Sequence, residues 1–183
     1  MKTIIIGNGG SGKTWLAGEL ATTADTEVIH LDNLFWLPGG FNKKRNIEEV
    51  TLLIVQSKYH NNWIVEGVFG ELAVQYFDVA EILIWVNMPW ELCRFRLNKR
   101  GSESKRHMDR VQSEKGLQKL LVWASHYHDR TDLRSHTGHQ ALFNSFQGRK
   151  IELKSEDEVN QHLKSVQQIT ALDSCSAALH KNQ

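Results

Sequence analysis

The 183-residue sequence has only two cysteines, Cys93 and Cys175, far apart and without paired spacing. That excludes a disulfide framework and points to structural thiols in a reducing cytoplasm. An excess of either charge is missing too, since 22 lysines and arginines against 21 aspartates and glutamates leave a net charge of +1. Such a chain offers no broad basic face for nucleic acid and no polybasic attraction to a membrane. No apolar run approaches bilayer-spanning length, and residues 1–20 carry a glycine-rich motif where a signal peptide would sit. There are no repeats and no low-complexity tracts. The remainder, 40% hydrophobic and 23% charged, is globular in composition and long enough for one well-cored domain but not for two ordinary ones.

What the sequence does have starts at residue 7. GNGGSGKT (Gly7, Asn8, Gly9, Gly10, Ser11, Gly12, Lys13, Thr14) follows directly on Ile4, Ile5 and Ile6 and fits G-x-x-x-x-G-K-[ST]. Its glycines permit backbone conformations that turn successive N–H groups toward an anion. A helix opening at Lys13 adds its positive dipole end. In such a loop Lys13 reaches the β- and γ-phosphates and Thr14 offers its hydroxyl to Mg²⁺. The motif therefore predicts ATP and magnesium as cofactors.

The motif needs a strand before it and a helix after it, and the pattern along the chain supplies both. Strands are expected at 2–6, 26–31, 63–65, 81–86 and 150–153. Helices are expected at 13–24 and 47–59, from the first turn at Pro89 to about residue 100, at 116–128, and from a Ser155–Glu158 capping box to about residue 171. Residues 34–46, with Pro38-Gly39-Gly40, read as a loop that opens on aromatics. Near-continuous apolar strands alternating with helices predict an α/β fold with a parallel sheet covered on both faces. Ligands then bind beyond the carboxyl ends of the strands. The expected organisation is a single domain over residues 1–171, with a small lid at about 100–114 and a frayed tail at 172–183.

Three further stretches bear on chemistry. In HLDNLFW (30–36), Asp32 stands at the sheet edge where it could meet an acceptor hydroxyl or a magnesium water, with Phe35 and Trp36 as pocket walls. It could equally cap a turn over a surface aromatic cluster. In NWIVEG (62–67), Glu66 follows a buried strand, the place for a magnesium-water ligand or a general base, and also for a plain solvated acid. From Arg94 to Arg110 the chain is basic, and Gly101 to Ser104 interrupt its helix. Arginines on a closing lid stabilise the charge of phosphoryl transfer, so at least one of Arg100, Arg106 and Arg110 is expected to reach phosphate. Arg130 and Arg134 rank second. His126, His128, His136 and His139 cluster in sequence, but no carboxylate or cysteine framework of zinc-site type accompanies them. Trp85, Trp90 and Trp123 read as packing residues.

The set GNGGSGKT, HLDNLFW followed by PGG, NWIVEGVF and EILIWVNMPWELCRFRLNKR resembles the adenylate-kinase-related P-loop proteins often labelled DNA topology modulation proteins. The resemblance covers about residues 2–135. It implies a three-layer P-loop fold of the nucleoside/nucleotide kinase type, with five parallel strands in order 2-3-1-4-5. It also implies phosphate contacts from Gly9, Gly12, Lys13 and Thr14, and matches Asp32, Glu66 and Arg100. The sequence departs from adenylate kinases where they hold AMP: Glu66-Gly67-Val68-Phe69-Gly70 has neither the Pro nor the Arg of their Asp-Gly-Phe-Pro-Arg segment, and their Thr-Gly is replaced by Asp32-Asn33. An acid at 32 suits an acceptor hydroxyl better than an acceptor phosphate. Phosphoryl transfer from ATP–Mg²⁺ to a small-molecule acceptor (nucleotide, nucleoside or polyol) is one expectation. An ATP-binding regulator associated with DNA topology, with little kinase activity, is the other, and the near-neutral charge speaks against its nucleic-acid partner.

Overall fold

The structure, a computed structural model, describes residues 1–38, 43–101 and 110–180. Strands buried on both faces need no polar side, and that is how the apolar runs are used. β1 (Lys2–Gly7), β2 (Val28–His30), β3 (Trp63–Gly67), β4 (Ile82–Val86) and β5 (Arg149–Leu153) form one sheet in order β2-β3-β1-β4-β5. Every pairing is parallel. The crossovers carry α1 (Lys13–Ala24), α2 (Leu31–Phe35), α3 (Ile47–Lys58), α4 (Gly70–Ala73, running into a 3₁₀ turn at Val74–Tyr76), α5 (Trp90–Arg100), α6 (Arg110–Ser125), α7 (His136–Ser145) and α8 (Glu156–His180).

Successive strand residues point to opposite faces, so the sheet has two cores. On one face Ile4, Ile6, Val65 and Trp85 pack with Ile54 of α3, Tyr76 and Leu142 of α7. On the other, Ile5, Ile64, Ile84 and Val86 pack with Leu16 and Leu20 of α1, Cys93 of α5 and Leu163 of α8. This alternation decides where polar strand ends point. Val28 and Ile64 belong to the α1 face, so His30 and Glu66, two residues further on, are directed to the α1 face as well.

The structure redraws several sequence expectations. β2 covers only Val28–His30, and Leu31–Phe35 turns helical at once, which puts Asp32 in the first turn of α2. Pro89 stands immediately before α5 rather than inside its first turn. Helix α6 begins at Arg110, so the far part of the expected lid at 100–114 is already helix, and it ends at Ser125 instead of 128. Gly116 is tolerated inside it, because a single helical glycine costs only about 1 kcal/mol relative to alanine. Helix α7 has weak helix formers in its first turn but is capped by Ser135, whose Oγ accepts from the Gly138 N–H at 3.0 Å. Helix α8 continues past residue 171 to His180, with no glycine or proline to stop it. At its start the Glu158 N–H donates to Ser155 Oγ at 3.2 Å, while the Glu158 carboxylate accepts from the Lys154 N–H at 2.7 Å.

Candidate active site

β1 is the central strand, and the loop leaving its carboxyl end lies over the middle of the sheet. Two of its glycines are in the left-handed region, Gly10 at φ 78° and Gly12 at φ 98°. At Gly10 a side chain is doubly excluded, since a Cβ would lie 2.4 Å from the Cys93 carbonyl oxygen of α5. The loop turns some of its own amides inward: Ser11 N–H donates to the Asn8 carbonyl and Gly9 N–H to Asn8 Oδ1. Among the described residues, the N–H groups of Gly10, Gly12, Lys13 and Thr14 meet no protein acceptor. Together with the α1 dipole they form a nest for an anion.

Lys13 is only 8% exposed, and its Nζ donates to the Asn8 carbonyl at 3.1 Å. It is thus held back along the loop it serves. Asn8 does more than occupy a variable position of the motif. Its side-chain amide donates to the Ala124 carbonyl at 2.9 Å, tying the loop to the last turn of α6. Arg96 of α5 braces the loop from another side, donating to the Ser11 carbonyl at 2.6 Å and to Glu156 at 2.7 Å. A cavity of about 460 Å³ opens over the loop between Gly12, Lys13, Thr14, Trp15, Arg96 and Arg100. Trp15, 53% exposed, stands at its edge. A larger cleft of about 610 Å³ lies on the outside of α6 beside Trp123 and Arg130, away from the loop.

Glu66, one residue before the end of β3, is 3% exposed, so it is not a solvated strand-end acid. Its Oε1 accepts from Thr14 Oγ1 at 3.1 Å and from His30 Nδ1 at 2.7 Å. Its Oε2 is buried and has no hydrogen-bond partner among the described residues. Burial pushes the carboxyl pKa up, but the His30 hydrogen bond, the charge of Lys13 and the Thr14 hydroxyl together hold it below the ordinary glutamate value. The Thr14 hydroxyl has one proton and two lone pairs, and by giving the proton to Glu66 it leaves the lone pairs for another ligand. A hydroxyl with free lone pairs beside an ionised carboxylate with an orphan oxygen is a donor set of hard oxygens that would fit magnesium.

Asp32 is half-buried at the start of α2, with its carbonyl accepting from the Trp36 N–H at 2.9 Å. Phe35 stacks on Phe69 at 4.4 Å between centroids, and Trp36 meets Phe35 edge-on. Arg134 lies over the Phe35 and Phe69 rings at 4.6 and 4.3 Å and donates through Nε and Nη2 to Glu71. This aromatic floor with its clamped guanidinium lies beyond the carboxyl ends of β2 and β3. Arg130 is spent on Trp123, with its guanidinium 4.0 Å from the ring, and on Asp132. Of the basic stretch, Arg100 ends α5 on the cavity rim. Arg106 and the side chain of Arg110 lie outside the described residues.

The histidines divide by environment. His126 is exposed and pairs with Asp129, while the His128 and His136 rings face each other at 4.4 Å. His139 is fully buried in a chain of hydrogen bonds. Trp85 Nε1 donates to Tyr127 OH at 3.1 Å, Tyr127 OH meets His139 Nδ1 at 2.6 Å, and His139 Nε2 meets the Val68 carbonyl at 3.1 Å. Burial pushes the His139 pKa down to about 3, so the ring is neutral. Its Nε2 carries the proton for Val68, and Nδ1 accepts from the tyrosine. Among the described residues no group of three or more His, Cys, Asp or Glu is placed to hold a metal ion. Cys93 is buried under the loop, and burial raises its thiol pKa to about 11.

Sequence reasoning missed His30, the Asn8 and Arg96 braces, and the 85–127–139 chain. His30 had a usable signal, because it stands at the carboxyl end of its strand as Glu66 does near the end of the neighbouring one, and the two are in register across β2 and β3. The braces depend on the placement of α5, α6 and α8 over the loop, which no local pattern carries.

No family model matches this sequence, and no curated protein matches it. Among solved structures it is similar to a shikimate kinase from Acinetobacter baumannii in complex with shikimate, with a TM-score of 0.53 and 15% identity over 93% of this chain and 94% of that one. It also overlays a shikimate kinase from Bacteroides thetaiotaomicron (TM-score 0.49, 16% identity, 91% and 96% coverage). A third is a gluconokinase from Sinorhizobium meliloti 1021 (TM-score 0.48, 10% identity, 98% and 96% coverage). The first likeness, with the strand order, shows the fold to be of the P-loop kinase type.

Proposed function

We propose that the chain is a small-molecule kinase that transfers the γ-phosphoryl group of ATP, with magnesium, to a hydroxyl of a small acceptor. The observation that carries this reading is the pairing of Thr14 with the buried, ionised Glu66, whose second oxygen has no hydrogen-bond partner among the described residues. A glycine-rich turn that bound nothing would have no use for such a pair beside a buried lysine. The fold's likeness to a shikimate kinase supports the same class of chemistry by analogy.

In this reading the N–H groups of Gly10, Gly12, Lys13 and Thr14 bind the β-phosphate, and Lys13 Nζ leaves the Asn8 carbonyl for the β- and γ-oxygens. Thr14 and Glu66 hold the metal, Glu66 directly or through a water. Bound magnesium neutralises charge on the phosphate oxygens. Asp32 accepts the proton of the acceptor hydroxyl as its oxygen bonds to the γ-phosphorus and ADP leaves. Phe35, Phe69 and Trp36 wall the acceptor, and Arg100, on the cavity rim, covers the transferring group. Positioning and charge supply most of the rate.

The test is coupled ADP release from ATP–Mg²⁺ with a panel of nucleoside monophosphates, nucleosides and small polyols. Stimulation by one class is expected, falling by about 10²–10³ in Lys13→Ala because a preorganised charge is removed while the fold is kept. Wild-type turnover in Lys13→Ala would overturn the assignment of the loop. No stimulation by any class, with ATP still bound, would favour a regulatory protein.

A further inference from the structure

Glu66 raises a question that the nucleotide reading leaves open: what decides which way a buried carboxylate faces. Its natural partner is the Lys13 ammonium, which lies close enough to lower its pKa. Direct capture of that ammonium would disable both groups, since Lys13 is needed on phosphate and Glu66 on the metal. The structure instead gives Oε1 two donors on the α1 face of the sheet, Thr14 Oγ1 at 3.1 Å and His30 Nδ1 at 2.7 Å, and leaves Oε2 buried and unpartnered. The histidine is in place by register. His30 pairs with Glu66 across β2 and β3, and strand alternation sends both side chains to one face.

We infer that His30 is a positioning residue for magnesium, holding Glu66 by Oε1 so that Oε2 is the oxygen presented to the metal or its water. The inference rests on the reading of Glu66 as the metal-facing acid. Two donors to one oxygen fix the plane of the carboxylate, whereas Thr14 alone leaves it free to rotate and exchange oxygens. Because Nδ1 is the donor, the same atom that orients Glu66 sets the tautomer of the ring. His30 touches neither phosphate nor acceptor in this scheme, so its effect on magnesium passes through the Glu66 carboxylate. Hydrogen-bond partners of metal ligands commonly govern metal affinity in this way.

The experiment is calorimetric binding of ATP to the full chain, in excess EDTA and in magnesium, without an acceptor. The readout is the gain in ATP affinity that magnesium brings. In His30→Ala that gain is expected to shrink by about 10–100-fold, with affinity in EDTA unchanged. His30→Asn, whose side-chain nitrogen is as many bonds from the backbone as Nδ1, is expected to restore most of it. His30→Val is a second donor-less variant suited to a strand end, should alanine fail to fold. A gain undiminished in His30→Ala and His30→Val overturns the inference and leaves the reading of Glu66 standing. A loss in His30→Asn as large as in His30→Ala overturns it too, by assigning the effect to the ring and not to the hydrogen bond. A wild-type protein without any magnesium gain removes the reading of Glu66, and this inference with it.

Discussion

Replacing Tyr127 by phenylalanine removes one oxygen from the interior and breaks two hydrogen bonds. The hydroxyl accepts from the Trp85 indole at 3.1 Å and donates to His139 Nδ1 at 2.6 Å. Trp85, Tyr127 and His139 are all buried, so no bulk water can replace the lost partner. The imidazole cannot adapt by moving its proton to Nδ1, because Nε2–H is committed to the Val68 carbonyl at 3.1 Å. The variant therefore strands an indole donor and an imidazole acceptor. Each orphan costs about 1–3 kcal/mol, and allowing for partial relaxation the sum is about 2–4 kcal/mol. For a chain of this length about 3 kcal/mol lowers the melting temperature by roughly 6–12 °C. Urea unfolding followed by tryptophan emission measures the loss. A change under about 0.5 kcal/mol would refute the reasoning, since that is the size of a surface substitution.

Other outcomes follow from the same geometry. His139 has its pKa lowered by burial to about 3, against 6.5 for the free side chain. The unfolded chain therefore binds a proton that the native chain refuses, and between about pH 6.5 and 3 stability should fall with acidification, by about 1.4 kcal/mol per pH unit from this group. Denaturation at pH 7.5, 6.5 and 5.5 checks this, and equal stabilities would contradict it. Asp32→Asn is expected to lower kcat/KM for the acceptor by about 10²–10⁴, the range for a general base, while ATP binding holds. Equal loss of ATP–Mg²⁺ affinity in a binding titration would place Asp32 at the metal instead.

The glycine-rich loop was legible because its conformation follows from glycines and one lysine at fixed spacing. GNGGSGKT needs no partner from elsewhere in the chain to be read. Glu66 was legible as an acid at the end of an apolar run, and the sheet order followed from the family resemblance. Residues whose roles depend on a neighbour in space were not. His30 acquires meaning only once β2 lies beside β3 and alternation fixes which face it takes. Trp85, Tyr127 and His139 come from β4, the turn after α6, and α7, and no spacing in the sequence links them. The short helix at Gly70–Ala73 and the helix α7 are stabilised by burial of Leu72, Tyr76 and Leu142 more than by local preference. Arg130 and Arg134, second-rank candidates from the basic pattern, take partners that only the fold supplies: Arg130 lies on Trp123, and Arg134 is clamped by Glu71 over two phenylalanines.

The most direct test of the account is where the γ-phosphoryl group goes. ³¹P NMR of the wild-type protein with ATP, magnesium and the acceptor class that stimulates ADP release follows that group itself. A new phosphomonoester resonance growing in step with ADP is the predicted result. ADP accompanied by inorganic phosphate alone would contradict it, leaving a nucleotide hydrolase in place of a kinase.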